Sequence, residues 1–318
     1  MRLECQIIIA FALDAVLGDP QWIPHPVRII GAFAAGLEQP LRSLFRNAFV
    51  AGLVFWLVVC AAVGVVAAGL LFAAYKIHPL AGDILGIVLL YFGFAGRDLV
   101  DHGRRVYQAL TTGNLAQARG RAGMLVGRDT ANLDQKEIVR ATVESIGENL
   151  VDGVTAPIFY AVLAGPVGLW LYKTVNTLDS MFGHKDERNL FFGRISARID
   201  DAANYLPARL TALLVPVAAL FMGGGMRNSF FALYRDGRKH ASPNAGLSEA
   251  AFAGALGVQL GGMNYYEGQP EFLPTMGDAR QSLTANHIRR ALWLMAITAL
   301  LFLVLLIAAR MAVIGLIS

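Results

Sequence analysis

Glu144, Glu148 and Asp152 stand at i, i+4 and i+8, one carboxylate per helical turn. Like charges at that spacing repel, and Asp152 falls at the C-terminal end of the helix, where the macrodipole disfavours negative charge. A bound cation relieves both penalties. Arg140, four residues before Glu144, is a competing partner. Glu137, Arg140 and Glu144 are therefore read as a solvated ion-pair ladder, and Glu148, Asn149 and Asp152 as the functional part. Lys173, Asn176 and Asp179 recur every three residues on a second helix face. Asp200-Asp201-Ala-Ala-Asn204 makes a third cluster, in which Arg198 can pair with Asp201. Carboxylates and amide carbonyls are hard oxygen ligands suited to Mg2+, and Mg2+ held by few carboxylates usually carries phosphate as well. Lys173, Lys185, Arg188 and Arg209 are the cations expected to meet that phosphate. A last polar stretch contains Ser242-Pro-Asn244-Ala-Gly, Glu249 and Gly261-Gly262-Met263-Asn264-Tyr265-Tyr266. Its glycines let backbone approach a ligand, or equally let helices pack closely.

Other chemistries are excluded or unsupported. There is no Gly-x-x-x-x-Gly-Lys-Ser/Thr phosphate loop, and no Gly-x-Ser-x-Gly nucleophile elbow. The histidines lack metal-ligand spacing. Cys5 and Cys60 lie in apolar stretches without a Cys-x-x-Cys partner, so they read as small buried hydrophobes.

The elements that position these clusters are membrane segments. Of 318 residues, 56% are hydrophobic and only 16% charged, where a soluble domain carries about a quarter charged. Ala48–Tyr75 and Ala291–Ala309 run without one charge, and roughly 20 apolar residues cross about 30 Å of hydrocarbon. Further apolar segments cover Gln6–Leu17, Pro79–Gly96, Val154–Val175 and Pro207–Gly225, with a weaker one at Ala250–Gly262. The fold class is all-α, a polytopic membrane helical bundle forming a single domain over 1–318. A polar helical loop at about 97–153 and polar loops at about 176–206 and 226–290 contribute the site. Within the first loop, Asp134-Gln-Lys-Glu137 fits a capping box that opens a helix, and Gly153 is the expected stop. The net charge of +4 fits Lys and Arg in cytoplasmic loops, and no basic stripe with interleaved aromatics points to nucleic acid.

Simple alternation of spans puts 176–206 on the side opposite the other polar loops, yet every loop carries Lys or Arg. Val154–Val175 contains Pro157 and Gly165-Pro166-Val167-Gly168. Either it is a re-entrant hairpin of two short helices, which keeps all the polar loops on the cytoplasmic side, or it is one kinked span.

Beyond spacing, the motifs resemble a known family. Gly18-Asp19-Pro20 with Pro24-His25-Pro26-Val27-Arg28 is similar to the N-terminal signature of the CobD/CbiB family, the adenosylcobinamide-phosphate synthases of cobalamin biosynthesis. The resemblance continues through Glu144-Ser-Ile-Gly-Glu148-Asn-Leu-Val-Asp152-Gly, Ala156-Pro157 and Lys173-Thr-Val-Asn176-Thr-Leu-Asp179. It ends with Asp200-Asp201-Ala-Ala-Asn204-Tyr-Leu-Pro207-Ala-Arg209, Ser242-Pro-Asn244-Ala-Gly and Glu249-Ala-Ala-Phe, in order along nearly the whole chain. The resemblance implies an ATP- and Mg2+-dependent amide ligase. Such an enzyme joins adenosylcobyric acid to (R)-1-amino-2-propanol O-phosphate, or to ethanolamine phosphate, through an acyl phosphate. Glu148, Asp152, Asp179, Asp200 and Asp201 are then expected to supply metal and base functions. Lys173, Lys185, Arg188 and Arg209 clamp phosphates, with Asn149, Asn176, Asn204, Asn244 and Glu249 in the binding site and Asp19, His25 and Arg28 completing it. The implied setting is the bacterial cytoplasmic (inner) membrane, multi-pass, with the site facing the cytoplasm where ATP is. The resemblance further implies the corrinoid and the amino-alcohol phosphate as substrates, the bilayer as a partner, and other membrane enzymes of the late pathway as neighbours.

Three other readings use the same residues. A Mg2+-dependent membrane transferase acting on a lipid diphosphate needs no ATP. A transporter would line its path with Asp14 and Asp83, but the polar clusters sit at segment ends and no repeat symmetry is present. An AmpE-like membrane sensor would tolerate loss of its carboxylates.

Overall fold

The computed structural model describes residues 1–20, 22, 24–184 and 186–317. The chain is a polytopic helical membrane protein. Among the described residues, five helical stretches are long and apolar enough to cross a membrane: Ala48–Ile77, Pro79–Thr111, Gln135–Phe182, Arg194–Leu220 and Ala285–Leu316. Contacts sort the residues into two compact units. The first comprises Met1–Ala95, Ala156–Asn204 and Ala309–Ser318; the second comprises Gly96–Thr155 and Tyr205–Ala308.

The first unit holds α1 (Leu3–Leu17), α2 (Pro26–Leu44), α3 (Ala48–Ile77), α4 (Pro79–Tyr91), α8 (Ala156–Phe182) and the opening of α9 (Arg194–Leu220). His25 and Pro26 start α2 together. The His25 ring nitrogen accepts from the Val27 amide at 3.2 Å, while proline occupies a position whose N–H has no helical partner anyway. Asn47 caps α3 by accepting from the amides of Phe49 and Val50 at 2.9 and 3.3 Å. Asp83 of α4 is buried and accepts from Gln6 at 2.8 Å and Tyr75 at 3.0 Å. Satisfied in this way, it ties α1, α3 and α4 together, a structural job rather than a transport path.

The segment read as hairpin or kinked span is a hairpin. Ala164 (φ −138°, ψ 22°) and Gly165 (φ 63°, ψ −155°) break α8 into two arms, and the Gly165 conformation is one that only glycine adopts without strain. A continuous helix sets residues 160 and 172 about 18 Å apart along its axis. Instead, the Tyr160 and Tyr172 rings stack with centroids 5.0 Å apart and planes 10° apart. Gly168 lies against the Tyr160 carbonyl so closely that a Cβ there would come within 2.7 Å of that oxygen. Gly165 therefore makes the turn, Pro166 opens the returning arm and Gly168 lets the arms touch. Near the turn, the Val162 carbonyl accepts from Arg310 at 2.8 Å, and the same guanidinium donates to Glu4 at 2.8 Å.

The second unit holds α5 (Gly96–Thr111), α6 (Leu115–Ala122), α7 (Gln135–Leu150), α10 (Met226–Asp236), α11 (Ala245–Leu256), β1 (Leu260–Tyr266), β2 (Gln269–Met276), most of α9 and most of α12 (Ala285–Ile317). The capping box at Asp134 and Glu137 forms as the sequence predicts, with bonds of 2.8 and 3.1 Å. Gly153 does not stop the helix. A π-helical turn, Val151–Thr155, carries it on into α8. Pro157 follows directly; it cannot donate a backbone bond and its ring crowds the carbonyl four residues back, and a widened turn accommodates both. Thr155 fills part of the gap by donating to the Leu150 carbonyl at 3.3 Å and bonding Thr211 at 2.7 Å.

The weak apolar segment at Ala250–Gly262 is not a span. It divides into α11, 12 residues long and buried except at Leu247, and β1. β1 and β2 pair antiparallel across Glu267 and Gly268, both at positive φ (51° and 78°), the two-residue turn whose twist suits a hairpin.

Candidate active site

Two polar clusters emerge, one in each unit. In the first unit, Lys173, Asn176 and Asp179 share one face of the returning arm of α8, as their spacing predicts. Asp200, in the second turn of α9, is buried at 8% exposure. Its two oxygens accept from Asn176 at 3.4 Å and Asn204 at 3.0 Å, and Tyr172 donates to the Asn204 side-chain oxygen at 2.8 Å. That chain of bonds fixes the Asn204 amide so that its nitrogen faces Asp200. Asp179 and Asp201 lie near enough for the three carboxylates to repel one another.

Residues 188–192, which lead into α9, are held from α2. Arg42 donates to the Arg188 carbonyl at 2.9 Å and Asn189 at 2.8 Å, and its guanidinium sits 3.8 Å from the centre of the Phe192 ring. Phe55, Phe182 and Phe192 pack edge to face or tilted, with centroids 5.0–6.1 Å apart. Beside the carboxylates this framework leaves a cavity of about 400 Å3, lined by His184, Asn189, Arg194, Arg198 and Asp201 among others. Arg194, Arg198 and Asp201 stand at i, i+4 and i+7 on one face of α9. Among the described residues neither arginine has a hydrogen-bond or ion-pair partner.

The expected phosphate clamps are dispersed. The Arg188 side chain pairs with Glu38 at 2.8 Å. Lys185 lies outside the described residues. Arg209 belongs to the second unit, where it stacks on Tyr205, 3.3 Å from the ring centre, and donates to Asn244 at 3.2 Å. Asp19 and His25 approach each other at 3.5 Å where α2 begins, and Arg28 is exposed.

The second unit's cluster surrounds α7, which α11 crosses at Gly147; a Cβ there would sit 3.7 Å from the Glu249 backbone. Glu144 is not part of a solvated ladder. It is 8% exposed and accepts from Arg128 at 2.5 Å, the Gly261 amide at 2.6 Å and, more distantly, Arg140 at 3.5 Å. Arg140 also donates to the carbonyls of Gly261 and Met263 at 2.5 and 2.8 Å and to Asn264 at 3.0 Å. Arg128 donates to the same Asn264 oxygen. The nearby glycines thus bring β1 backbone against α7, the close-packing alternative. The Arg128 Nε and Asn264 Nδ2 are buried donors with no acceptor among the described residues. One turn on, Glu148 is exposed, while Asn149 and Asp152 are half-buried. Glu249 is buried at 5% exposure. Burial, then the charges of Glu148 and Glu144, hold its carboxyl well above the usual range, and Arg128 offsets only part of this. Asn244 precedes α11, next to Ser242, whose hydroxyl accepts the amides of Asn244 and Ala245 at 3.3 Å each.

A family model described as CobD/CbiB protein matches residues 7–295. The chain belongs to the CobD/CbiB family. It is 45% identical to the cobalamin biosynthesis protein CobD of Leptospira interrogans over 282 residues, covering 89% of this chain and 90% of the relative. To the CobD protein of Geobacter metallireducens it is 45% identical over 289 residues, 91% of each chain. To the cobalamin biosynthesis protein CbiB of Salmonella typhimurium it is 42% identical over 311 residues, 96% of this chain and 97% of the relative. No solved structure matches. Three of the stretches that carried the CobD/CbiB resemblance map onto the two clusters, the Glu148 motif onto α7 and its π turn, the Asp179 motif onto the last turns of α8 and the Asp200 motif onto α9, while the N-terminal motif lies at the start of α2.

Among the described residues no three His, Cys, Asp or Glu side chains stand ready around one metal position. Mg2+ does not require that; it is commonly held by one or two carboxylates, substrate phosphates and water. The Asp179, Asp200 and Asp201 oxygens beside an arginine-lined cavity fit this mode. Arg194 and Arg128 were missed by sequence reasoning, and Arg198 was read only as an ion-pair partner of Asp201. For Arg194 and Arg198 a signal existed, because they share the Asp201 face; for Arg128, in a loop, there was none.

Proposed function

We propose that this chain works in cobalamin biosynthesis as an ATP- and Mg2+-dependent amide ligase, forming adenosylcobinamide phosphate from adenosylcobyric acid and an amino-alcohol phosphate. The observation that carries the reading is Asp200: a buried carboxylate bonded by two neutral amides, with two more carboxylates and an arginine-lined cavity beside it. In this reading Asp200 with one of its neighbours Asp179 and Asp201 would hold Mg2+, which would neutralise triphosphate charge, and Arg194 and Arg198 take phosphate oxygens. A propionate oxygen of the corrinoid attacks the γ-phosphorus of ATP and ADP leaves. The amine nitrogen then attacks the carbonyl carbon of the acyl phosphate, inorganic phosphate leaves, and the nitrogen gives up a proton. The amine attacks as its free base, and the released phosphate takes that proton; Glu148 and Asp152, in the second unit, are proposed as an acidic surface that attracts the substrate amine. The relatives' printed names support the pathway; the chemistry of the clusters supports the reaction type.

The test is purified protein with ATP, Mg2+, adenosylcobyric acid and each of the two amino-alcohol phosphates. The expected result is one ADP and one phosphate per amide formed. Amide formation without ATP, or no amide with either amine, would overturn it. The site is placed on the cytoplasmic side of the bacterial inner membrane, and an Asn189→Cys protein labelled from the periplasm would refute that placement.

A further inference from the structure

We propose that the groove between α5 and α12 binds the headgroup of an anionic phospholipid. The groove, about 300 Å3, is lined on α5 by Arg104 and Tyr107 and on α12 by Arg289 and Trp293, among others, and among the described residues no acidic one lines it. Residues 104, 107 and 108 are one face of α5, and residues 289, 292, 293 and 296 one face of α12, so the two helices present matched stripes. Both arginines are exposed, and among the described residues neither has a hydrogen-bond or ion-pair partner. Two unpaired guanidiniums a helix apart make a site for a phosphodiester oxygen pair.

What lies further along α12 decides between a lipid and a small anion. From Arg289 the exposed face continues through Trp293 (61% exposed), Leu300 (53%) and Val304 (58%), about 22 Å along the axis from first to last. Charge, then indole, then bare aliphatic surface is the order of headgroup, interface and acyl chain. A free phosphate uses only the first of these; a phospholipid uses all three. The two positive charges with no counter-ion select a headgroup of net negative charge over a zwitterionic one. This inference does not depend on the ligase reading.

Native mass spectrometry of the detergent-purified protein, with phosphatidylglycerol, phosphatidylcholine or inorganic phosphate added, reads it directly. Phosphatidylglycerol is expected to be retained at least ten-fold more tightly than phosphatidylcholine, and the preference to shrink as salt rises. The R104Q/R289Q protein should lose roughly 25-fold, about five-fold for each arginine, while R104K/R289K keeps most of the binding. Equal retention of the two lipids at all salt concentrations, unaltered phosphatidylglycerol binding in R104Q/R289Q, a lysine variant as weak as the glutamine one, or displacement of the lipid by millimolar phosphate would each overturn the proposal. The salt series uses the unaltered protein, so it decides the question even where a variant does not fold.

Discussion

Glu144 and Asp200 are equally buried, each 8% exposed, and they are satisfied in opposite ways. Glu144 receives a guanidinium at 2.5 Å, a backbone amide at 2.6 Å and a second guanidinium further off. Its charge is cancelled, and the bond network joins α7 to β1. Asp200 receives two carboxamides, which orient it without cancelling its charge, and Asp179 and Asp201 add like charge beside it. A buried ion pair that is complete holds a fold in one arrangement. A buried carboxylate oriented only by neutral amides, as Asp200 is, is a group whose charged form a bound cation stabilises. The second unit thus has a carboxylate whose charge is matched, with Glu148 and Glu249 beyond it; the first has one, Asp200, that is oriented by neutral amides alone.

The comparison breaks most sharply on substitution of the carboxylates themselves. Asp200→Asn should lower amide formation by about a thousand-fold or more, with a thermal midpoint unchanged or raised, because a repulsive charge has gone. A fall in midpoint with activity retained would make Asp200 structural. Glu144→Ala should do the reverse. Two arginines lose their shared partner, and stability should fall by about 3 kcal/mol, read by thermal unfolding or by protease cleavage in the segment 123–134. Arg194→Gln and Arg198→Gln should each raise the KM for ATP about ten-fold, the cost of a charge-assisted hydrogen bond, with a smaller change in kcat. No change in KM would remove the triphosphate from that cavity.

The smallest effect is a pH dependence at Glu249. Its carboxyl titrates well above the ordinary 4.5 because burial and neighbouring carboxylates penalise the charged form. The folded protein therefore holds that proton more tightly than the unfolded chain. Stability tied to it is fully present below about pH 4.5 and lost as pH rises through the elevated value. Glu249→Gln carries no charge at any pH. Its midpoint should match that of the unaltered protein at low pH and exceed it by a few degrees under alkaline conditions. A gap that closes as pH rises would show that another group sets the titration.

What was legible in the sequence was local. The Asp134–Glu137 capping box needs four consecutive residues and formed as read. The hairpin was visible as an alternative because Gly165 and Pro166 act within a turn. The faces carrying Asp179 and Asp200 followed from helical period. What failed depended on distant chain. Arg140 and Glu144 were paired correctly but taken as solvated, since Gly261 and Asn264, which bury them, lie about 120 residues away. Arg188 looked free because its partner, Glu38, is 150 residues earlier. The β-hairpin was missed although Glu267-Gly268 between Asn-Tyr-Tyr and Glu-Phe-Leu marks one; the surrounding apolar helices masked the weaker signal.

Arg310 imposes an order on biosynthesis. The Val162 carbonyl beside the turn of α8 is bonded by a residue made 148 positions later, so the hairpin leaves the ribosome with that acceptor unmet in apolar surroundings, where an unpaired polar group is costly. Only when the last helix inserts is it satisfied, together with Glu4 from the first. α12 is therefore a latch on α1 and the α8 hairpin, and a chain without Arg310 leaves the turn with an unmet acceptor.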